Sequence, residues 1–341
     1  AAHHAAASAA TVVVLATPPL RLATARTRAT RPWCPPPGPA RRRSHPGCVP
    51  TVDPGLFGPD SVTWRVGREP AAFVAGLRAL LQQSLHPAVA GGFDALSDYR
   101  RRPWLRLGRT AEYVAVTTYG TTDEVRGAGA AVRRVHARTF PDPESGAERR
   151  LDEPELLRWV HACLVDSFLD VTTRSGMNLS AAERDRYVAE QVRSAELVGL
   201  DPAGVPADTA ALTAYLGSQQ AALRLTPAAV DAVALLLAPP LPVRLELLTP
   251  ARAGWTTLAA LAYGSLPPWA RERFPVPEGI EPLTQAAVTV GLRALRTAGR
   301  AVRAVVPAAR HSPHEAQARR RLGLSGDPGT DVAGGAVAVR R

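Results

Sequence analysis

The side chains with the clearest capacity for chemistry lie between Pro103 and Asp170. Arg106 and Thr110 are four residues apart in Pro103-Trp104-Leu105-Arg106-Leu107-Gly108-Arg109-Thr110. His136 follows in Val132-Arg133-Arg134-Val135-His136-Ala137, and His161 in Trp159-Val160-His161-Ala162-Cys163-Leu164-Val165-Asp166. Each segment reads as helix, and each sets a polar group on a face that is otherwise apolar. Burying such groups is costly unless they find partners. A row of them on successive helices points to a site inside a helical core, with a metal or cofactor held between helices.

Taken singly, each residue has a structural and a functional reading. Arg106 and Thr110 share one helix face, continued by Tyr113 and Thr117. That face is either solvated or presents a cation and a hydroxyl to a pocket, to orient oxygen or move a proton. His136 lies on a face with Val125, Gly129, Val132 and Phe140, and Arg126, Arg133 and Arg134 lie opposite. Such a histidine is either a hydrogen-bonded core residue or a ligand. The nearby Ala128 and Gly129 would let a flat macrocycle approach the helix. His161, between Leu157 and Leu164, is a core residue bonded to a carbonyl or to Asp166, or else a second ligand or pocket group. His86, before Pro87, reads as a helix C-terminal cap facing the dipole, or as a further pocket residue.

The elements that would position these groups are helices. Apolar periodicity and turn residues mark helices over 71–85, 104–119, 122–140, 152–174, 180–200, 206–218, 227–238, 252–263, 267–274 and 283–306. Asp60–Trp64 reads as a cap or turn before the first of them. Thr122 with Asp123 and Glu124 reads as one N-terminal signal, and Asp152 with Pro154 as another. Ser180-Ala181-Ala182-Glu183 reads as a capping box. In 152–174 the stripe is Leu156, Leu157, Val160, Leu164, Phe168 and Val171. No strand alternation and no internal repeat is evident. The fold class is all-α: one multi-helix bundle over 52–306, after a low-complexity Pro/Arg-rich leader (1–51) expected to be disordered, and before a basic tail (307–341) expected to be loose.

Composition bounds the function. Of the 341 residues 46% are hydrophobic and 5% aromatic, enough apolar content for a sizeable core and weighted toward Ala, Leu and Val. The formal charge is +11, and every basic residue is arginine. Seven arginines and no acid fall in 1–50, and ten arginines with three acids in 293–341, so the middle of the chain is slightly acidic. A specific nucleic-acid site would need a basic stripe on the folded domain, and none is expected. The three cysteines Cys34, Cys48 and Cys163 have no disulfide spacing, which favours a reducing compartment. No apolar run is long enough to cross a membrane, and Arg41-Arg42-Arg43 follow rather than precede the apolar run at Ala5–Leu20, so no export signal is read. Cytoplasmic residence is expected. Absent too are Glu-x-x-His pairs, His-Glu-x-x-His, Cys-x-x-Cys, a phosphate loop and a Gly-x-Ser-x-Gly elbow.

From about Phe57 to Leu322 the chain resembles the MpaB-type and latex-clearing-protein (rubber oxygenase) catalytic domain. The resemblance rests on Phe57-Gly58-Pro59-Asp60-Ser61-Val62-Thr63-Trp64, Leu80-Leu81-Gln82-Gln83-Ser84-Leu85-His86-Pro87, Ser97-Asp98-Tyr99, and Arg106-x-x-x-Thr110. It continues through Tyr119-Gly120, Val132–Ala137, Trp159–Ala162, Glu183-Arg184-Asp185-Arg186-Tyr187 and Leu266-Pro267-Pro268-Trp269. It implies a globin-like fold, haem b, dioxygen as co-substrate, His136 as iron ligand, and Arg106 and Thr110 as pocket residues needed for activity. His86 and His161 match family positions without an assigned role. The chain departs from many relatives at Arg138-Thr139-Phe140 and Arg150-Leu151-Asp152-Glu153-Pro154. The expectation is a haem-dependent oxygenase acting on a small hydrophobic, isoprenoid- or lipid-like substrate. The competing reading is a non-enzymatic helical module that binds an apolar ligand or a protein partner, and the oligomeric state is not set by either.

Overall fold

The computed structural model describes residues 52–275, 284–306 and 309–324. The leader, with Cys34 and Cys48, and the chain after 324 lie outside the described residues. The architecture is all-α. The helices are α1 (Val62–Gly67), α2 (Ala72–Gln83), α3 (Pro87–Leu96), α4 (Pro103–Tyr119), α5 (Thr122–His136), α6 (Pro154–Arg174), α7 (Ala181–Leu197), α8 (Thr209–Gln219), α9 (Pro227–Leu237), α10 (Val243–Leu248), α11 (Ala251–Gly264), α12 (Pro268–Arg271), α13 (Gln285–Val305) and α14 (Pro313–Arg321). Among the described residues no helix is long and apolar enough to cross a membrane.

The central pairing is α2 against α6. Leu77, Leu81, Leu85, Trp159, Ala162 and Val165 belong to one buried cluster that α11 and α13 extend with Trp255, Leu258 and Leu292. Helix α6 is enclosed on most of its circumference, from Leu156 and Leu157 through Trp159, His161, Ala162, Cys163 and Val165 to Val171 and Thr172. The single stripe expected for it is therefore too narrow: Val160 and Leu164 are only half-buried, while Trp159 and Cys163 are fully enclosed. A helix apolar on most sides belongs at the centre of a bundle. The pairing also encloses a cation. Arg78 reaches Asp166 at 2.7 Å, Ser167 Oγ at 2.7 Å and the Ser265 carbonyl at 3.1 Å. Full pairing of this kind is what makes a buried guanidinium tolerable.

Helix starts follow the expected capping chemistry in two places and differ in two. Ser180 caps α7 with Glu183 as a complete capping box, and Ser61 caps α1. For α5 the cap is Thr121 rather than Thr122, again with a complete box through Glu124. For α6 the cap position is Glu153 without a side-chain bond, and Asp152 instead pairs with Arg150 at 2.5 Å.

Five elements differ from the sequence expectation, two of them short: 62–67, read as a cap or turn, forms α1, and 243–248, read as no element, forms α10. Residues after His136 leave the helix and form a hairpin, β1 (Thr139–Pro141) against β2 (Glu148–Arg150), in register Phe140↔Arg149. Phe140 is thus not on the His136 face; it packs on α3, where a Cβ at Gly92 would meet its ring at 3.0 Å. Residues 87–96, read only as a stop, form α3, for which Pro87 is a favourable first residue. The segment expected to be loose from 307 contains α14. Glu315 of α14 is 2% exposed and pairs with Arg68 at 2.6 Å and His311 at 2.8 Å. His314 meets Glu112 of α4 at 3.0 Å, and Arg321 donates to the carbonyls of Asp53 and Tyr119, each at 3.0 Å.

Candidate functional site

Helix α4 supplies the site. Pro103 opens it, and its C-terminal turn is tight enough that a Cβ at Gly120 would meet the Val116 carbonyl at 2.6 Å. The chain re-enters helix after Gly120 and Thr121, so α4 and α5 form an antiparallel hairpin. In such a hairpin the start of α4 lies beside the end of α5. This brings Arg106 within electrostatic reach of His136.

Arg106 and Thr110 line a cavity that is partly open to solvent, with about 830 Å³ of empty space when the open mouth is included. Its walls come from the end of α2 (Leu80, Gln83, Ser84), from α3 (Val89, Ala90, Phe93), from α4, from α9 (Ala232, Val233, Leu235, Leu236) and from Trp255 of α11. The surface is overwhelmingly apolar. Trp104 and Trp255 meet edge to face at one end, with ring centroids 4.9 Å apart.

The Arg106 guanidinium donates to the Thr110 hydroxyl and lies over the Phe93 ring at 5.2 Å. Desolvation lowers its pKa first, and the charge of Arg109 second. Thr110 in turn donates to the Arg106 carbonyl at 3.2 Å. Its hydroxyl is therefore committed to fixing Arg106, which makes it a positioning residue and leaves it no free proton to move. Tyr113, one turn on, has a buried phenol oxygen without a partner, and burial pushes its pKa up to about 12.

His136 ends α5. Its Nδ1 is buried without a hydrogen-bond partner. Desolvation lowers its pKa, and the positive charge of Arg106 lowers it further. A helix C-terminus favours a cation, but here loss of water and the neighbouring guanidinium win, so the ring is neutral near pH 7. A neutral imidazole with a free nitrogen is the form that ligates a metal. His136 is not itself a wall residue of the cavity; it stands beside Arg106, which is. Gly129 does not serve the approach of a macrocycle. A Cβ there would meet the Leu197 carbonyl of α7 at 2.9 Å, so its smallness lets α5 and α7 pack.

The other two histidines fall outside the cavity wall. His86 does not cap the end of α2; it occupies the N-cap position of α3, with Nε2 3.4 Å from Glu155 and a buried, unpartnered Nδ1. Desolvation lowers its pKa, the hydrogen bond to Glu155 opposing this in part. His161 is enclosed in α6 and is not bonded to Asp166, which pairs with Arg78. Desolvation alone pushes its pKa down to about 4. Sequence reasoning missed Phe93, Tyr99, Trp104 and Trp255 as wall residues. Their aromatic character was visible; their convergence from three helices and the turn before α4 was not.

Among the described residues no group of three or more His, Cys, Asp or Glu is gathered to hold a metal ion. A metal held by one imidazole and a cofactor ring needs only one such residue, and His136 fits that role. Over residues 64–305 the chain matches the family described as ER-bound oxygenase mpaB/B'/rubber oxygenase, catalytic domain. No curated protein and no solved structure gives a significant match.

Proposed function

We propose, from the premise that the chain belongs to the mpaB/B'/rubber oxygenase catalytic-domain family and is therefore an oxidoreductase of the oxygenase kind, that it uses haem b and dioxygen to oxidise a small hydrophobic, isoprenoid- or lipid-like substrate. The observation that carries this reading is the pairing of a neutral His136, its Nδ1 buried and unpartnered, with an apolar cavity whose wall holds Arg106 next to it.

Haem ligated by His136 would supply the redox chemistry that dioxygen requires. The residues of the chain supply the rest. Leu80, Val89, Phe93, Leu107, Val233 and Leu236 hold an apolar substrate and keep water away from it. Arg106, fixed by Thr110 and by the Phe93 ring, places one positive charge at a defined point of that surface. His136 remains neutral because burial, and after it the charge of Arg106, oppose its protonation. Cytoplasmic residence and the absence of a specific nucleic-acid partner belong to the same proposal; cell fractionation and salt-dependent binding assays check them.

The test is the visible spectrum and haem content of purified full-length protein, wild type and His136→Ala, after expression with ample iron and haem precursor. Near-stoichiometric haem in the wild type, lost at least tenfold in the variant, is expected. Full haem content in His136→Ala would refute the ligand assignment. A wild type without haem or iron would refute haem dependence.

A further inference from the structure

The polar groups on the cavity wall are matched, with one exception. Gln83 donates to the Val160 carbonyl at 2.9 Å, Ser84 to Leu81 at 2.7 Å, and Tyr99 to Asp94 at 2.9 Å. The indole of Trp104 donates to Pro240 at 2.7 Å and that of Trp255 to Leu236 at 3.1 Å. Thr110 is committed to Arg106, in the manner described above. The exception is Arg106. Of its five N–H donors, one is engaged by Thr110. Among the described residues no carboxylate lies at ion-pair distance; Asp98 acts on it only from further away. Arg78, which is fully buried, by contrast meets two carboxylates. A half-buried guanidinium on an apolar wall gains from an anion, and its planar fork suits a carboxylate bidentately.

We propose that the substrate of this cavity is an amphiphile with a single carboxylate head, which pairs with Arg106, and an apolar tail that runs along α3 and α9 toward the Trp104–Trp255 corner. This deepens the oxygenase reading by naming the substrate class. The head anchors one end of the molecule and so sets how far along the tail the reacting bond lies. Arg106 is then a substrate-binding residue and Thr110 positions it. A carboxylate could also come from the haem itself, so the test separates the two sources.

Binding of oleate, its methyl ester and the corresponding alcohol is measured by displacement of a fluorescent fatty-acid probe, on full-length protein in haem-free and haem-loaded form. Oleate is expected to bind at least tenfold more tightly than ester or alcohol in both forms. In Arg106→Gln that preference disappears, with ester affinity within about twofold of wild type; Arg106→Lys restores part of it. The wild-type acid–ester comparison needs no variant and stands if a variant misfolds. Equal binding of acid and ester in the wild type overturns the proposal. So does a preference seen only without haem, since Arg106 then serves the cofactor's carboxylate. Haem content is read on the same samples. Lost preference in a protein that takes up haem sinks the substrate class alone, whereas an intact preference in a protein that takes up neither haem nor iron sinks the haem reading alone.

Discussion

His161 should make the protein acid-sensitive in a calculable way. The ring is enclosed in α6, and desolvation carries its pKa from 6.5 to about 4 in the folded state. In the unfolded chain it titrates near 6.5. Between these values the unfolded state binds the proton and the folded state resists it. Stability from this residue is therefore complete above pH 6.5, falls as pH drops, and reaches its floor near pH 4. At about 1.4 kcal/mol per pH unit the total is about 3 kcal/mol, with about 2 kcal/mol already lost at pH 5. Replacing His161 by Leu removes the titration. Urea unfolding at pH 7.5, 6.0, 5.0 and 4.5 on both proteins gives the difference directly, because every other titrating group is common to the pair. The gap between variant and wild type should move in favour of His161→Leu by about 2 kcal/mol between pH 7.5 and 5.0. Parallel curves, or an imidazole that titrates above pH 6 by NMR in the folded wild type, would refute the argument that burial without a charged partner governs this residue.

Two further perturbations probe the frame around the site. Gly129→Ala gains helix propensity of about 1 kcal/mol but drives a methyl into the Leu197 backbone carbonyl at 2.9 Å, an overpacking cost of about 1–3 kcal/mol; a net loss near 1 kcal/mol is expected in chemical denaturation, and a more stable variant would show that α5 and α7 are not closely packed. Glu315→Ala removes the buried carboxylate that Arg68 and His311 share and should cost up to about 3 kcal/mol, the low end for a broken buried pair because Arg68 keeps some solvent contact; limited proteolysis should then cut next to α14, and an unchanged melting temperature would contradict its role as the anchor of that helix.

The order and type of most helices were legible, because capping chemistry and apolar periodicity act locally. Ser180 with Glu183 and the apolar run of α6 are such cases. The misses had non-local causes. The hairpin at 139–150 is held by Phe140 settling on Gly92 and by Arg149 meeting Glu153 and Asp142, contacts that no local pattern reveals. Helix α14 looked like a loose basic tail because its charge is visible in sequence and its buried anchor, Glu315, is not. At the site, the spacing of Arg106 and Thr110 was sufficient to place them on one face, and the short link after Tyr119 carries His136 to them. The same reasoning could not tell that His161 points into the core without a partner, or that Gly129 faces a neighbouring helix. Both depend on which element packs where, and single-helix periodicity carries no such information.

The bond from Arg321 to the Asp53 carbonyl joins residues 268 positions apart. On the ribosome, at roughly 5–20 residues per second, Asp53 waits about 15–50 s for that partner to be made. Throughout that interval α1 and the end of α4, with Trp64 and Tyr119, lack the cover that Ala318 later gives them. That seam of the oxygenase domain therefore cannot close until α14 has been made. A nascent chain stalled short of α14 would present that apolar seam to chaperones.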